Sequence, residues 1–271
     1  MNHLSKQLVT TYGTNRIAYY RLGSGKQWAV CFHGYGQSGT VFNCFTPAIA
    51  ASYTFIVIEL PHHGHTEWVQ HLPMQPTDLM QIIESIIPPK TVFTLIGYSM
   101  GARIALCLLQ QYPKSINQII LLAPDGVHNN VWQWLSTQTN FGNQLFKYFM
   151  LQVNWLPWLV TQLGNCRLLN PSITRFVLFS IATRPLRALL YHRWTTVRLF
   201  WPNQQRLQHV AKQYAIPITC FLGLHDRVIP AATNARRLLS LFPYAHIQYL
   251  PAGHQILKPA FVPQIVAALL H

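Results

Sequence analysis

Residues 95–106 read LIGYSMGARIAL, an apolar run broken at Gly97, Ser99 and Gly101 and followed by apolar residues at helical spacing. The pattern G-x-S-x-G thus stands where a strand gives way to a helix. A sharp strand-to-helix turn strains the backbone at its apex and pushes the apex side chain out over the carboxyl edge of a sheet. Glycines on either side are needed because side chains would collide where strand and helix approach closely. The helix starting at this point also directs its first N–H groups and its dipole toward any negative charge developing beside Ser99.

A serine hydroxyl is a poor nucleophile at neutral pH. It needs a base, and the base needs a carboxylate to hold its tautomer. Among thirteen histidines His254 is the best placed, in LPAGHQI (250–256) between the strand-like HIQYL (246–250) and a final helix. Only Asp125 and Asp226 are acids lying between Ser99 and His254. Asp226, in ITCFLGLHDRVIP (218–230), follows a strand and precedes a helix that Pro230 can start, which places it at the same edge. Asp125, in LLAPDGV, is the other candidate, although Pro-Asp-Gly also makes a natural turn. A fourth element is HGYGQSG (33–39), which ends the strand WAVCF (28–32); its glycines let backbone N–H groups approach a substrate carbonyl.

Further short apolar runs at 54–58, 91–96, 117–122 and 216–222 suit strands buried on both faces. Helical patterns at 38–50 (kinked at Pro47), 77–86, 99–111, 231–241 and 260–270 alternate with them. This alternation predicts a mostly parallel, doubly wound sheet with right-handed crossovers. QLVTTYG and NRIAYYRLG read as an antiparallel hairpin at its edge, turning at residues 13–15. The rhythm breaks over 127–212, a stretch of helices punctuated by prolines, so the expected organisation is a core of 1–126 and 213–271 with a helical insertion between. Within it Leu186, Leu189, Leu190, Trp194 and Val197 form one helical face, with Arg187, Tyr191 and Arg198 on another.

Taken together, HG-x-G, ELPHHGHT (59–66), G-x-S-x-G, LHD and the final GH resemble the α/β-hydrolase superfamily throughout the core. The resemblance implies an α/β-hydrolase fold with the insertion as a cap or lid, and backbone N–H groups of Tyr35 and Met100 as oxyanion donors. His33, Gly34 and Tyr98 would line the substrate, with Trp132 and Trp155 from the cap. It implies ester hydrolysis through an acyl-enzyme on Ser99, His254 acting as base and Asp226 as orienting acid. A serine here excludes the superfamily branches that use an aspartate nucleophile. A thioesterase, a carbon–carbon bond hydrolase and a non-catalytic binding protein of this fold share the same residues. The loop ELPHHGHT departs from the family, which carries an aspartate and a glycine where Glu59 and His62 stand; its histidines read as cleft-lining or solvent-exposed.

Half of the 271 residues are hydrophobic, enough for a sizeable core. No signal-peptide run opens the chain, and no stretch reaches the roughly 18 apolar residues of a membrane span, so a cytoplasmic protein is expected. The five cysteines lack C-x-x-C spacing and read as reduced core residues, and neither cofactor nor metal is expected. The net charge of +14 favours anionic partners, but no signal of nucleic-acid binding accompanies it. The insertion holds six of the eight tryptophans, nine basic residues and no acid. Trp132, Trp134, Trp155 and Trp158, with Phe146, Phe149 and Leu151, could roof an apolar acyl or aromatic group. Arg187, Arg193 and Arg198 could steer an anionic substrate or touch an anionic membrane. The expected partner is a small ester or other acyl compound.

Overall fold

A computed structural model describes residues 6–49, 51–69, 73–127, 131–166 and 171–270. The chain divides into two compact units, one comprising 1–70, 75–128 and 200–271, the other 71–74 and 129–199.

The first unit is built on an eight-stranded sheet. Its strands are β1 (Lys6–Tyr12), β2 (Asn15–Leu22), β3 (Gln27–Phe32), β4 (Tyr53–Ile58), β5 (Phe93–Tyr98), β6 (Ile116–Leu122), β7 (Ile218–Gly223) and β8 (His246–Leu250). They lie in the order β1-β2-β4-β3-β5-β6-β7-β8. The β1–β2 and β2–β4 pairs are antiparallel and all others parallel. The β1–β2 hairpin turns at Gly13–Thr14, with Gly13 in the left-handed region at φ 58°. Strands β4, β5 and β7 are buried along their whole length, as strands covered on both faces must be, and this explains their unbroken apolar sequence.

Helices α1 (Thr46–Ile49), α2 (Pro76–Ile86) and α3 (Met100–Gln111) fall before β6, and α10 (Ala231–Leu241) and α11 (Val262–Leu270) flank β8. The segment expected as one kinked helix over 38–50 is a 3₁₀ helix, Gly39–Phe45, running into the short α1. Strand β5 begins two residues later than its apolar run and continues through Gly97 and Tyr98. Pairing with Phe32 on one side and Leu121 and Leu122 on the other carries it to the brink of the turn.

The second unit holds α4 (Val131–Gln138), α5 (Asn140–Gln152), α6 (Leu156–Asn165), α7 (Pro171–Ile181) and α8 (Arg184–Thr196). Thr139 and Thr183 cap α5 and α8, their hydroxyls accepting from the N–H of Gly142 and Leu186. Phe146 of α5 stacks on Trp194 of α8 with ring centroids 5.6 Å apart, so it packs inside this unit. Arg187 corrects the sequence reading: it is buried rather than on a solvated face. Its guanidinium donates to the carbonyls of Met150 and Ile181 near the ends of α5 and α7, and to Asn154 Oδ1. Five donors in a rigid fork suit it to gather backbone acceptors that a helix end leaves open. It is therefore not among the charges available to a partner.

Helix α9 (Gln204–Tyr214), expected within the insertion, belongs to the first unit. Its Leu207 and Val210 are buried, the helix packs on α3, and Gln110 Oε1 accepts from the N–H of Asn203 just ahead of it. Cys31, Cys107 and Cys220 are buried and Cys166 is exposed, so only part of the cysteine set is core. Among the described residues no helix is long and apolar enough to cross a membrane.

Candidate active site

Ser99 sits between β5 and α3 with φ 51° and ψ −114°, a backbone state that costs a non-glycine residue about 1–3 kcal/mol. The surroundings impose it. The Ser99 N–H donates to Leu122 O at 2.9 Å, and its own carbonyl accepts from Ala102 at 3.0 Å and Asp125 at 3.1 Å. The flanking glycines are obligatory by contact: a Cβ on Gly97 would lie 2.4 Å from Ala102 Cα, and one on Gly101 would lie 2.1 Å from Phe32 O. The latter approach brings the start of α3 against the backbone leaving β3, so the segment carrying Tyr35 and the N–H of Met100 come from neighbouring stretches.

His254 and Asp226 arrive on two loops laced together. Leu224 and His225 donate their N–H groups to Leu250 O and Ala252 O at 2.9 Å each, and Gly223 has room for no Cβ beside Gly253 O. As a result His254 Nδ1 lies 2.7 Å from Asp226 Oδ2, and His254 Nε2 lies 3.0 Å from Ser99 Oγ. The other Asp226 oxygen accepts from the N–H groups of Val228 at 2.8 Å and Ile229 at 2.9 Å, which fixes the carboxylate plane. The Asp226 side chain is 1% exposed and that of His254 22%, so the carboxylate is dry and the imidazole remains accessible. Asp125 takes no part: it accepts from the Gly126 N–H and stands 3.6 Å from Arg103 Nη1.

The remaining residues expected at the site differ in placement. Tyr98 is buried, and its hydroxyl donates to the carbonyl of His254 at 3.1 Å, so it props the histidine loop. Burial above all, and then the charge of Asp226, push its phenol up to about 12, which keeps it a donor. Gly34 donates its N–H to Gln37 Oε1 at 3.1 Å. His33 is fully buried with both ring nitrogens on backbone groups, so its side chain shapes the loop. Trp155 is 54% exposed in the second unit, and the side chain of Trp132 lies outside the described residues.

Three residues of the departing loop, Glu59, His62 and His63, lie outside the set expected at the site. Glu59 is fully buried, taking the Ser38 hydroxyl at 2.6 Å and the Gly39 N–H on one oxygen and the His65 N–H at 2.6 Å on the other. Burial alone would raise its pKa, but the bonds from His65, Ser38 and Gly39 together hold it below the ordinary carboxylate value. His62 occupies the left-handed region at φ 61°, where the family carries glycine. His63, contrary to the reading of these histidines as cleft-lining or exposed, is buried and bound to backbone through both ring nitrogens.

A folded-state pKa below the unfolded one means that Glu59 stabilises the fold above about pH 4.5 and loses that contribution as pH falls through the lowered value. Glu59→Gln presents an amide donor to groups that are themselves donors. It should therefore cost about 3 kcal/mol at neutral pH, a gap from wild type that begins to narrow below about pH 4.5 and goes on narrowing as pH falls through the lowered value. Urea unfolding of both proteins at pH 7 and pH 4 measures it; a constant gap would mean the carboxylate charge is irrelevant.

Comparison with known proteins agrees with this architecture. The family model described as alpha/beta hydrolase fold matches residues 29–158. Pimeloyl-[acyl-carrier protein] methyl ester esterases of Klebsiella pneumoniae (strain 342) and Aeromonas hydrophila are 25% and 26% identical over 109 and 107 residues. Each alignment covers 40% of this chain and 41% of the relative, so the chain spans about two-fifths of the length of these relatives. Among solved structures, a putative lipase from Acinetobacter baumannii superposes with TM-score 0.65 at 18% identity, covering 98% of this chain and 91% of that one. A hydrolase from Pseudomonas aeruginosa gives 0.66 at 19%, covering 100% and 98%. The chain therefore has the α/β-hydrolase fold, and residues 29–158 match the model of that family.

Proposed function

We propose that the chain is a serine hydrolase that cleaves a carboxylic ester through an acyl-enzyme on Ser99. The observation that carries this reading is the unbroken path from Ser99 Oγ to His254 Nε2 at 3.0 Å and from His254 Nδ1 to Asp226 Oδ2 at 2.7 Å. His254 Nε2 takes the hydroxyl proton as Ser99 Oγ bonds to the ester carbonyl carbon, and the ring, now protonated at both nitrogens and carrying one positive charge, is held by Asp226. The N–H groups of Met100 and Tyr35 receive the negative charge on the carbonyl oxygen. His254 then gives the proton to the departing alkoxide. Water repeats the sequence in the second half, releasing acid and restoring Ser99.

For the substrate, an acyl group attached to an anionic carrier or bearing an anionic group is the reading that two facts favour. The chain has a net charge of +14 with no Asp or Glu between 127 and 225, and relatives are named as esterases of an acyl-carrier ester. Attraction of this kind weakens as salt shortens the screening length.

Intact-mass measurement after a fluorophosphonate probe, alongside p-nitrophenyl esters of increasing acyl length, tests the chemistry. One adduct and measurable turnover are expected, with KM for an anionic ester rising with salt. A folded protein that neither labels nor turns over would instead be a binding protein of this fold.

A further inference from the structure

His33 and His63 face each other with ring centroids 4.9 Å apart, one on the loop after β3 and the other on the loop after β4. Their bonds are reciprocal. His33 Nε2 accepts from the N–H of Leu60 at 3.1 Å, and His63 Nε2 accepts from the N–H of Gly36 at 3.1 Å. The Nδ1 atoms stay within their own loops, 2.8 Å from Gly34 O and 2.9 Å from Pro61 O. A nitrogen that accepts an amide proton is bare, so both rings are neutral and carry hydrogen on Nδ1.

The bonds fall on either side of one atom that matters to the chemistry proposed above. The Tyr35 N–H belongs to the Gly34–Tyr35 peptide, whose carbonyl oxygen is the one His33 holds. The next peptide offers the Gly36 N–H, which His63 holds. Because a trans peptide is planar, fixing these neighbours fixes the direction of the Tyr35 N–H. Within the loop itself Gln37 ties down Gly34, donating its N–H to Gly34 O at 3.3 Å and accepting the Gly34 N–H on Oε1 at 3.1 Å, but no bond of the loop's own holds the Gly36 N–H, and Gly36 stands at φ 72°. Glu59 anchors both ends of the arrangement, through Ser38 and Gly39 beyond the first loop and His65 beyond the second.

We propose that His63 is a positioning residue for the oxyanion donor Tyr35, acting through the Gly36 N–H from outside the Ser99–His254–Asp226 set. The inference rests on the serine-hydrolase reading. It accounts for a histidine buried 2% exposed among backbone groups, where an apolar side chain would leave the Gly36 N–H without its acceptor.

The test compares His63→Asn with His63→Gln in the full chain. Glutamine can place its amide oxygen where Nε2 stands and still accept from Gly36. Asparagine reaches only to the Nδ1 position and keeps the Pro61 contact alone. For p-nitrophenyl ester hydrolysis, His63→Asn is expected to lower kcat about 10–100-fold with KM within about 2-fold, and to slow fluorophosphonate labelling in step. His63→Gln is expected within about 5-fold of wild type. Thermal unfolding separates loss of fold from loss of alignment; should the asparagine protein not fold, His63→Ala takes its place. Equal rates in the two variants, whether both high or both low, would overturn the proposal. Wild-type protein that neither labels nor turns over would instead overturn the serine-hydrolase reading on which it rests, a distinguishable result.

Discussion

Ser99→Ala should abolish fluorophosphonate labelling and lower ester kcat/KM by at least about 10³-fold while leaving stability within about 0.5 kcal/mol of wild type. In the proposed mechanism the activity loss follows from removing the atom that bonds to the carbonyl carbon; what would remain is binding and the oxyanion donors. The unchanged stability is the more discriminating half. Every bond that holds residue 99 in its turn is a backbone bond, to Leu122, Ala102 and Asp125, and alanine keeps all of them along with the same Cβ. Intact mass reads the first effect and urea unfolding the second. An alanine variant with wild-type turnover would remove Ser99 from the mechanism, and one that unfolds would show the hydroxyl to be structural.

Asp226→Asn should cost about 10³–10⁴-fold in kcat at neutral pH with the fold retained. Asparagine can keep its oxygen toward the N–H groups of Val228 and Ile229, so the loop stays closed. Its amide nitrogen then faces His254 Nδ1 as a donor. That forces the imidazole hydrogen onto Nε2, where it points at Ser99 Oγ and leaves no base to take the serine proton. Asp226→Ala, by contrast, also strips the acceptor from two amides and should lose about 2–3 kcal/mol of stability in addition. Steady-state kinetics with urea unfolding of both variants separates the contributions. If the asparagine variant retained full rate, the carboxylate would be holding the loop and nothing more.

Much of this arrangement is legible in the residue order. Ser99 and Asp226 each follow an apolar run that becomes a buried strand, and His254 follows the edge strand HIQYL, so all three emerge at one edge of the sheet, and glycine on both sides of Ser99 marks the tight turn. The antiparallel hairpin is equally plain from alternation around Gly13. What escapes is whatever depends on a bond from a side chain to a distant backbone group, since such bonds have no period. Arg187 reads as a surface charge because its helix pattern is that of a surface position, yet carbonyls of Met150 and Ile181 surround it. His63 reads as a loop histidine because nothing local shows that Gly36 is beside it. Helix α9 looks like part of the insertion for a similar reason: its partner is α3, nearly a hundred residues earlier in sequence. Glu59 and His62 stand out only as departures from a familiar motif, and the signal that could have promoted them is a carboxylate inside an apolar chain, next to a glycine with no space for a side chain.

The geometry at residue 99 also separates a seat from its occupant. Leu122, Ala102 and Asp125 grip the main chain there, and the two neighbouring glycines give clearance, so none of the forces that shape the turn passes through the hydroxyl. Side chains of similar size can be exchanged at that point without renegotiating the rest of the molecule. A scaffold built this way can keep its architecture while its reactive atom changes from oxygen to sulfur or to a carboxylate, and chemistry can diverge faster than shape.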